Sequence, residues 1–244
     1  MSNSLSVITI CLNDRAGLER TFESVFSQTT QNFDLVVVDG GSTDGSKELI
    51  EQNKERVTRW VSEKDNGIYD AQNKGWRMAG TEFVQFLNAG DVFAEVDVLE
   101  NVLPLLTEEV DTVYGNAALA DHRGRYGLKV HPDPITSAWL MKEVISHSAQ
   151  FIRRSLLQQF NGYDTRFGIA ADYAFFAQAF WNGDLRLKKW DQVVTIFNTE
   201  GVSSDPIQKE RIARERKMIQ RQFAPAFWYW LYHTYATINR AVGR

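Results

Sequence analysis

One segment near the start of the chain constrains the fold more than any other. Leu35–Val38 are four consecutive apolar residues, three of them β-branched, and they run directly into Asp39-Gly40-Gly41-Ser42-Thr43-Asp44-Gly45. Such a run is typical of a parallel strand buried on both faces. The acid, glycines and helix-capping residues after it indicate a turn at the carboxyl end of the strand, where open α/β sheets bind ligands. Asp39 is therefore a candidate ligand contact, with a plain turn acid as the alternative.

Strand and helix patterns alternate along the first half of the chain. Apolar runs predict strands over 6–11, 35–38, 57–62, 82–87 and 111–114, with helical periodicity between them. Short connections favour an α/β fold with a mostly parallel central sheet and helices on both faces. The pattern weakens after Asn116. We interpret 117–134 as a flexible active-site loop, followed by helices that begin at Ser155 and Asp172 and by a strand over 192–197.

The composition narrows the class of protein. A chain of 244 residues is one large domain or a domain with an appendage. The single cysteine, Cys11, excludes an internal disulfide and fits a reducing compartment. No segment approaches the roughly 20 apolar residues of a membrane span, and no secretory signal opens the sequence. We therefore expect a cytoplasmic protein.

Charge is unevenly distributed. Residues 207–244 contain eight Lys or Arg and two acids, a net charge of +6, so the preceding residues carry −10. The acidic body argues against a nucleic-acid partner. Ile212, Ile219 and Phe223 predict an amphipathic helix, and an aromatic block over 227–235 follows it. This tail favours either peripheral contact with an anionic membrane surface, on the inner face of the cell membrane, or packing on the domain or against a second copy.

Acidic residues follow three of the predicted strands. They are Asp39, the turn from Glu63 to Asp65, and Asp91. Because the carboxyl ends of parallel strands meet at one crevice, these acids should lie close together. Several acids in one pocket are unfavourable unless a cation or a hydroxyl-rich ligand compensates them. Oxygen ligands suit Mg²⁺ or Mn²⁺, and the phosphates of a nucleoside diphosphate would complete the coordination.

Four motifs resemble glycosyltransferase family 2, and in particular its bacterial polysaccharide branch of the colanic acid type. They are the strand and turn Ser6–Asn13, the V-D-[DG]-G-S-x-D-G segment Val38–Gly45, the segment Ser62–Gly75, and Phe86–Asp91 in the place of the D-x-D metal motif. The resemblance continues more thinly through His147–Arg154, Gly162–Asp164, Ala171–Tyr173 and the loop Gly201–Ser203 after the last strand. The family implies a GT-A, Rossmann-like fold.

The resemblance also implies an activity and a set of residues. It implies inverting transfer of a sugar from a nucleoside-diphosphate sugar, a UDP-sugar first, to an acceptor hydroxyl in bacterial surface polysaccharide or lipid-linked oligosaccharide synthesis. Asp172 is the implied catalytic base, and Asp91 and His147 are the implied ligands of Mn²⁺ or Mg²⁺. The implied contacts of the donor nucleotide are Thr9, Cys11, Asn13, Asp39, Gly41, Ser42, Glu63, Asp65, Gly67, Asp70, Asn73, Asn88, Ala89 and Gly90. The expected partners are that donor and a glycan or lipid-linked acceptor.

The implied organisation is a GT-A catalytic domain and a tail. The domain covers 1–206, with a nucleotide-sugar part over 1–116 and an acceptor part over 117–206, and the basic, aromatic helical tail covers 207–244. The motifs depart from the family pattern at three places: Ile10 replaces a proline, Asn88 and Gly90 replace two acids of the metal motif, and Gln72 replaces an arginine. Metal binding would then depend on Asp91 and the diphosphate.

Simpler interpretations of these residues stay open at this level. Asp172 could be a plain helix N-cap, and His147 a buried histidine without a ligand role. Asp70 and Asn73 could lie on a solvated helix face. Two other functions also remain: a non-catalytic nucleotide- or sugar-binding module of the same fold, and a sugar-phosphate nucleotidyltransferase. The second is disfavoured because no long glycine-rich loop with a basic residue follows the first strand.

Overall fold

Nine strands form one sheet in the part of the chain that the structure describes, and helices cover both faces of that sheet. The computed structural model describes residues 4–121, 123–199 and 208–241. The motif at 201–203, interpreted as the loop after the last strand, lies outside the described residues.

The first four strands are parallel and carry the motifs at their carboxyl ends. They are β1 (Leu5–Cys11), β2 (Asp34–Asp39), β3 (Arg59–Ser62) and β4 (Phe83–Phe86), joined in the order β3-β2-β1-β4. The helices between them are α1 (Arg15–Phe26), α2 (Ser46–Gln52) and α3 (Ile68–Met78). Every residue of β1 and all but the first of β2 are buried, which explains their continuous apolar sequence.

The remaining elements extend the sheet beyond β4. In chain order they are β5 (Val92–Phe93), α4 (Val98–Val102), β6 (Thr112–Asp121), β7 (Gly124–Lys129), α5 (Ser137–Leu140), β8 (Gln150–Arg153), α6 (Arg154–Gln159), α7 (Ala171–Trp181) and β9 (Leu187–Asn198). The strand order continues β4-β8-β6-β9-β5, and β7 pairs with the second half of β6. β6 and β9 are parallel, whereas β5, β7 and β8 pair antiparallel. Most paired residues lie in parallel ladders, so the predicted α/β sheet is confirmed.

Two apolar clusters attach the helices to the two faces of the sheet. On one face α1, α2 and α4 pack through residues such as Leu18, Leu49 and Leu99. On the other face α3 and α5–α7 pack through residues such as Trp76 and Tyr173. The carboxyl ends of β1, β2 and β4 lie at one edge, between the two helical layers, which is where the candidate site forms.

The interpretation of 117–134 as a flexible loop is wrong. β6 continues to Asp121, and β7 returns along it with Ala117 opposite Lys129. Ala117 and Ala118 are buried because β6 also pairs with β9 at these positions. Alanine is less common in strands than β-branched residues are, so the sequence alone did not reveal this extension of β6. The extension depends on pairing with strands that are distant in the sequence.

The basic segment packs as part of the domain. It forms α8 (Lys209–Phe223), which is followed by α9 (Ala226–Ala241). Ile219 is fully buried in the cluster that contains α7, and Gln220 Nε2 donates a hydrogen bond to the carbonyl oxygen of Met141 (2.9 Å). The Nε2 atom of His233, in α9, lies 3.0 Å from Gln220 Oε1. The expected packing alternative is therefore correct for α8 and for the inner face of α9.

Among the described helices, none combines the length and the apolar character required to cross a lipid bilayer.

Candidate active site

The turns after β1 and β2 are bonded to each other at the edge of the sheet. Asn13, with a φ of +52°, donates its backbone N–H to Ser42 Oγ (2.8 Å), and its Oδ1 accepts the backbone N–H of Thr43 (2.8 Å). Asp44 Oδ2 accepts the backbone N–H of Arg15 at the start of α1 (2.8 Å). Because the two loops share these bonds, this edge of the crevice is rigid before any ligand binds.

Asp39 lies at the centre of this edge. It is fully buried, and its Oδ2 accepts hydrogen bonds from Ser62 Oγ (2.6 Å) and from the backbone N–H of Ser42 (3.1 Å). Asp65 is adjacent, since a Cβ added to Gly40 would lie 2.4 Å from Asp65 Oδ2. The structure therefore brings together the two acidic edges that the sequence placed at a nucleotide pocket.

The turn that leads into α3 continues the same wall. Gly41 has a φ of +85° and packs against the backbone of this turn. Gly67 begins α3 with a φ of +110°, a conformation that favours glycine. Glu63 forms an ion pair with Lys74 (2.8 Å), and Asp70 Oδ2 accepts the backbone N–H of Asn66 (3.0 Å). Glu63 lies on this turn and Gly67 and Asp70 follow it, next to the edge that we call the Asp39 pocket, and their contact with a donor nucleotide stays a prediction.

Two predicted donor contacts on β1 have side chains that face the interior. The Cys11 thiol lies in the core, 3.5 Å from Ser46 Oγ, and burial raises the pKa of this thiol. The Thr9 side chain is fully buried, and its hydroxyl oxygen has no hydrogen-bond partner. Asp39 pairs with Cys11 in the sheet and lies on the same face, since Val37 and Cys11 share one apolar cluster, so the donor contacts of Thr9 and Cys11 stay predictions.

Asn73 has a structural role. It is buried, its Oδ1 accepts Trp76 Nε1–H and the backbone N–H of Tyr163 (2.9 Å each), and its Nδ2 donates to the carbonyl oxygen of Tyr163 (2.7 Å). Gly162 allows this close approach, because a Cβ there would lie 2.2 Å from Asn73 Oδ1. The alternative of a solvated helix face is wrong for Asn73, and the loop at 162–163 uses its amide, while its contact with the donor stays a prediction.

The turn Asn88–Asp91 carries a buried carboxylate with one oxygen that has no hydrogen-bond partner. Asp91 is buried; its Oδ1 accepts the backbone N–H of Asn198 (2.9 Å), whereas its Oδ2 has no hydrogen-bond partner. Burial raises the pKa of Asp91 from 3.8 to about 7. The backbone bends at Gly90, with a φ of +94°, and Ala89 donates its N–H to the carbonyl oxygen of Ile10 (3.0 Å). A buried carboxylate oxygen without a donor is costly unless a proton or a cation compensates it.

A chain of amides connects this turn to His147. Gln72 Nε2 donates to Asn88 Oδ1 (3.2 Å), and Asn88 Nδ2 lies 3.1 Å from His147 Nε2. Burial lowers the pKa of His147, which favours the neutral imidazole that a metal requires. The ring of Phe197 packs edge-on against His147 (5.9 Å between centroids), and the next residue in β9 bonds to Asp91. His147 and Asp91 therefore lie at the same end of β9.

These residues are compatible with a divalent cation that is held mainly by its substrate. Asp91 offers one free buried oxygen, whereas the Nε2 lone pair of His147 accepts the Asn88 amide and would have to exchange that bond for a cation. Among the described residues, no group of three or more His, Cys, Asp or Glu side chains could hold a metal ion by itself. The remaining ligands would then come from phosphate oxygens, a common arrangement for Mg²⁺.

Asp172 lies across the crevice on α7. Its Oδ1 accepts hydrogen bonds from the hydroxyl of Tyr69 (2.9 Å) and from the backbone N–H of Tyr173 (2.8 Å). Burial, and then the charge of Asp172, raises the pKa of Tyr69 well above its ordinary value, so Tyr69 remains a donor. The N-cap of α7 is Ala170, and Asp172 is the second residue of the helix. The alternative of a plain N-cap is therefore wrong.

Sequence reasoning missed three residues around Asp172. Tyr69 lies within the motif Ser62–Gly75, but only the fold shows that its side chain reaches α7. Lys129 belongs to the segment interpreted as a loop, and Arg216 to the basic tail. Burial lowers the pKa of Lys129, whose ammonium is near enough to Asp172 and Arg216 to respond to their charges. The guanidinium of Arg216 lies 4.4 Å from the ring centre of Tyr173, and its buried Nη2 has no hydrogen-bond partner.

Comparison with known proteins identifies the family. The family described as Glycosyl transferase family 2 matches residues 6–182, well over half of the chain. The chain belongs to glycosyltransferase family 2. This membership favours sugar transfer over the nucleotidyl transfer that the sequence left open, and the glycosyltransferase class is thereby supported.

Relatives and solved structures agree with this assignment. A PGL/p-HBAD biosynthesis glycosyltransferase of Mycobacterium bovis is 32% identical over 215 residues, which cover 86% of this chain and 82% of the relative. The UDP-Glc:alpha-D-GlcNAc-diphosphoundecaprenol beta-1,3-glucosyltransferase WfgD of Escherichia coli is 25% identical over 64% of this chain and 63% of its own length. The mannosyltransferase PcManGT of Pyrobaculum calidifontis, solved with GDP-Man and Mn²⁺, superposes with a TM-score of 0.62 at 16% identity, over 98% of this chain and 81% of that one. The GT-A fold class is thus confirmed, and the relatives compared are named as glycosyltransferases.

Proposed function

We propose that this chain is an inverting, metal-dependent glycosyltransferase that uses a nucleoside-diphosphate sugar, a UDP-sugar first. The observation that carries the proposal is the hydrogen bond from Tyr69 to Asp172. Tyr69 follows the turn beside the Asp39 pocket, so this bond supports a carboxylate that would lie between the donor and the acceptor. The Asp39 pocket would bind the base and ribose, since carboxylates accept hydrogen bonds from both.

Asp172 would act as the base. Its Oδ2 is not used by Tyr69 or Tyr173 and could accept the proton of the acceptor hydroxyl as that oxygen attacks the anomeric carbon. A single displacement needs no second carboxylate as a nucleophile, and it inverts the configuration. Asp91 and His147 would hold a divalent cation, which supplies positive charge to the departing diphosphate.

The surroundings of Asp172 favour an acceptor that carries phosphate. The buried Nη2 of Arg216 has no hydrogen-bond partner, and Lys129, which forms an ion pair with Glu143 (3.7 Å), is near enough to Asp172 to respond to its charge. A phosphate would supply the acceptor that Arg216 lacks, and Lys129 would add to its attraction. The name of the relative WfgD describes a diphosphoundecaprenol-linked acceptor. We therefore favour a lipid-linked diphosphate over an uncharged glycan.

The domain organisation follows from these roles. The part over 1–116 would bind the nucleotide-sugar and the part over 117–206 would bind the acceptor. α8 contributes to the same packed domain, so the tail would be functionally distinct only in α9.

The outer face of α9 fits an anionic membrane surface. Phe227, Trp230, Leu231 and Tyr235 recur at helical spacing and are each at least half exposed. The neighbouring α8 exposes several cations, Arg214, Lys217 and Arg221. Exposed aromatic residues beside basic ones are typical of helices that lie in a membrane interface. Such contact would bring the crevice close to a lipid-linked acceptor.

Replacing Phe227, Trp230 and Tyr235 together by Ser should weaken binding to vesicles that contain phosphatidylglycerol by roughly tenfold or more, because the variant buries less apolar area. Vesicle flotation measures this effect. Val96→Ser, a change at an apolar residue that is 54% exposed far from α9 along the chain, should have no effect. Dimerisation of the native chain without vesicle binding would support the interface between copies instead.

Thermal denaturation with a panel of nucleotide sugars tests the proposal most directly. A donor at about 100 times its Kd should stabilise the fold by about 2.7 kcal/mol, since it binds only the folded state. We expect one nucleotide sugar to raise Tm more than the others, and the rise to require Mn²⁺ or Mg²⁺. Release of nucleoside diphosphate from that donor would exclude a non-catalytic binding module. A shift that persists in EDTA would contradict the metal dependence.

A further inference from the structure

Helix α8 lies outside the segment that the family matches, yet it contacts the residues that lead to Asp172. Glu215 projects from α8 and is only 8% exposed. Its carboxylate accepts hydrogen bonds from three consecutive backbone N–H groups, those of Gly168 (3.2 Å), Ile169 (3.0 Å) and Ala170 (3.1 Å). These residues directly precede α7. One side chain of α8 thus satisfies the amides that lead into the helix of the proposed base.

The contact is both charged and closely packed. Arg211, one turn earlier in α8, donates its Nε–H to Glu215 Oε1 (2.9 Å) and fixes the carboxylate from the solvent side. A Cβ added to Gly168 would lie 2.0 Å from Arg211 Nη2, so the loop lies directly under the guanidinium. Hydrogen bonds to an ionised group are roughly twice as strong as neutral ones. A negative charge next to the start of a helix is also favourable.

The same loop is held from its other side by Tyr69. The Tyr69 hydroxyl lies 3.1 Å from the carbonyl oxygen of Ile169 and 2.9 Å from Asp172 Oδ1. Glu215 binds the N–H groups of the loop, while Tyr69 contacts its carbonyl side and the carboxylate itself. The segment 168–172 is therefore fixed between α8 and α3, which leaves Asp172 little freedom to move.

We propose that Glu215 is a positioning residue for Asp172, and that α8 therefore contributes to the geometry of the catalytic centre. The proposal rests on the proposed function, because it assumes that Asp172 is the base. Glu215 does not reach the crevice; it acts through the loop. Without its carboxylate, three N–H groups lose their acceptor and the loop can shift. A displacement of about 1 Å at a reacting group can cost on the order of 100-fold in rate.

The Glu215→Gln variant of the full chain tests this role, because it keeps the size of the side chain and removes its charge. We expect the turnover of the donor, measured as released nucleoside diphosphate, to fall by roughly 10- to 100-fold. The donor KM and the donor-induced rise in Tm should not change, since the donor pocket lies elsewhere. Glu210→Gln makes the same chemical change at an exposed position of α8 and should leave turnover within about twofold.

A double-substitution cycle separates positioning from general damage. If Glu215 acts through the base, Glu215→Gln should reduce turnover strongly in the native chain and hardly at all in the Asp172→Asn variant. An equal fold-reduction in both backgrounds would overturn the proposal, as would unchanged turnover in the native background. If Asp172→Asn itself has no effect, the proposed base is wrong, and this inference is wrong with it.

Glu215→Asp keeps the test informative if the Gln variant does not fold. It retains the charge but withdraws it by one methylene from the three N–H groups, so an intermediate loss of turnover with native Tm is expected. Native turnover in Glu215→Asp would contradict a role that depends on the position of the carboxylate.

Discussion

Asp172→Asn should reduce sugar transfer by between about 100-fold and 10,000-fold, the range that a general base contributes. The amide is nearly the same size and can still accept hydrogen bonds from Tyr69 and from the backbone of Tyr173. It cannot take the proton of the acceptor hydroxyl. Donor binding should be unchanged, because the Asp39 pocket lies on the other side of the crevice. Steady-state release of nucleoside diphosphate, together with the donor-induced rise in Tm, measures both quantities.

Asp184→Asn is the matched control for this prediction. Asp184 is an exposed acid just beyond the carboxyl end of α7, so it experiences the same chemical change without a contact to the crevice. The turnover of the Asp184→Asn variant should equal that of the native chain. If Asp172→Asn also transfers sugar at the native rate, the base lies elsewhere, and loss of donor binding in this variant would indicate a role in the donor pocket instead.

Asp91→Asn should weaken metal-dependent donor binding and turnover by on the order of 100-fold, because a charge interaction worth several kcal/mol is lost. The amide removes the free buried Oδ2 anion and leaves the bond from Asn198 available. In contrast to Asp172→Asn, this variant should lose the Mn²⁺-dependent rise in Tm with donor. Asp97→Asn, at an exposed acid before α4, is the control and should behave as the native chain.

The pH dependence of the metal effect gives the same prediction an independent test. Without metal, the pKa of Asp91 is raised from 3.8 to about 7. Between these two pH values Asp91 holds a proton in the folded chain but has released it in the unfolded chain. The contribution of Asp91 to the stability of the fold therefore falls as the pH rises. A cation competes with this proton. Stabilisation by Mn²⁺ and donor should therefore increase as the pH rises through about 7, and this increase should be absent in Asp91→Asn.

The sequence predicted the parts of the site that depend on local pattern. Apolar runs such as Leu35–Val38 identify buried strands, and the residues that end them must lie at the carboxyl edge of a parallel sheet. Asp39 and Asp65 therefore came together as expected, while Asp91, after β4, bonds to the end of β9. The sequence pattern could not show which residues each of these side chains contacts.

What the sequence could not predict depends on contacts between distant segments. Asn73 lies on the expected helix, but a loop 90 residues away covers it and uses its amide. Tyr69 reaches Asp172 only because α3 and α7 pack on the same face of the sheet. Glu215 looked like one charge in a basic tail, because no periodic pattern shows that the carboxylate is buried against α7.

The three hydrogen bonds between Asn73 and its neighbours have a mechanical consequence. Two of them, both to the backbone of Tyr163, join α3 to the segment before α7, and Gly162 packs directly against Asn73 and Trp76. Separating these segments would expose buried amide groups, at a cost of about 1–3 kcal/mol for each. The contact therefore resists relative movement of α3 and the segment around Tyr163. If an opening admits substrates, we expect it in other segments of the chain.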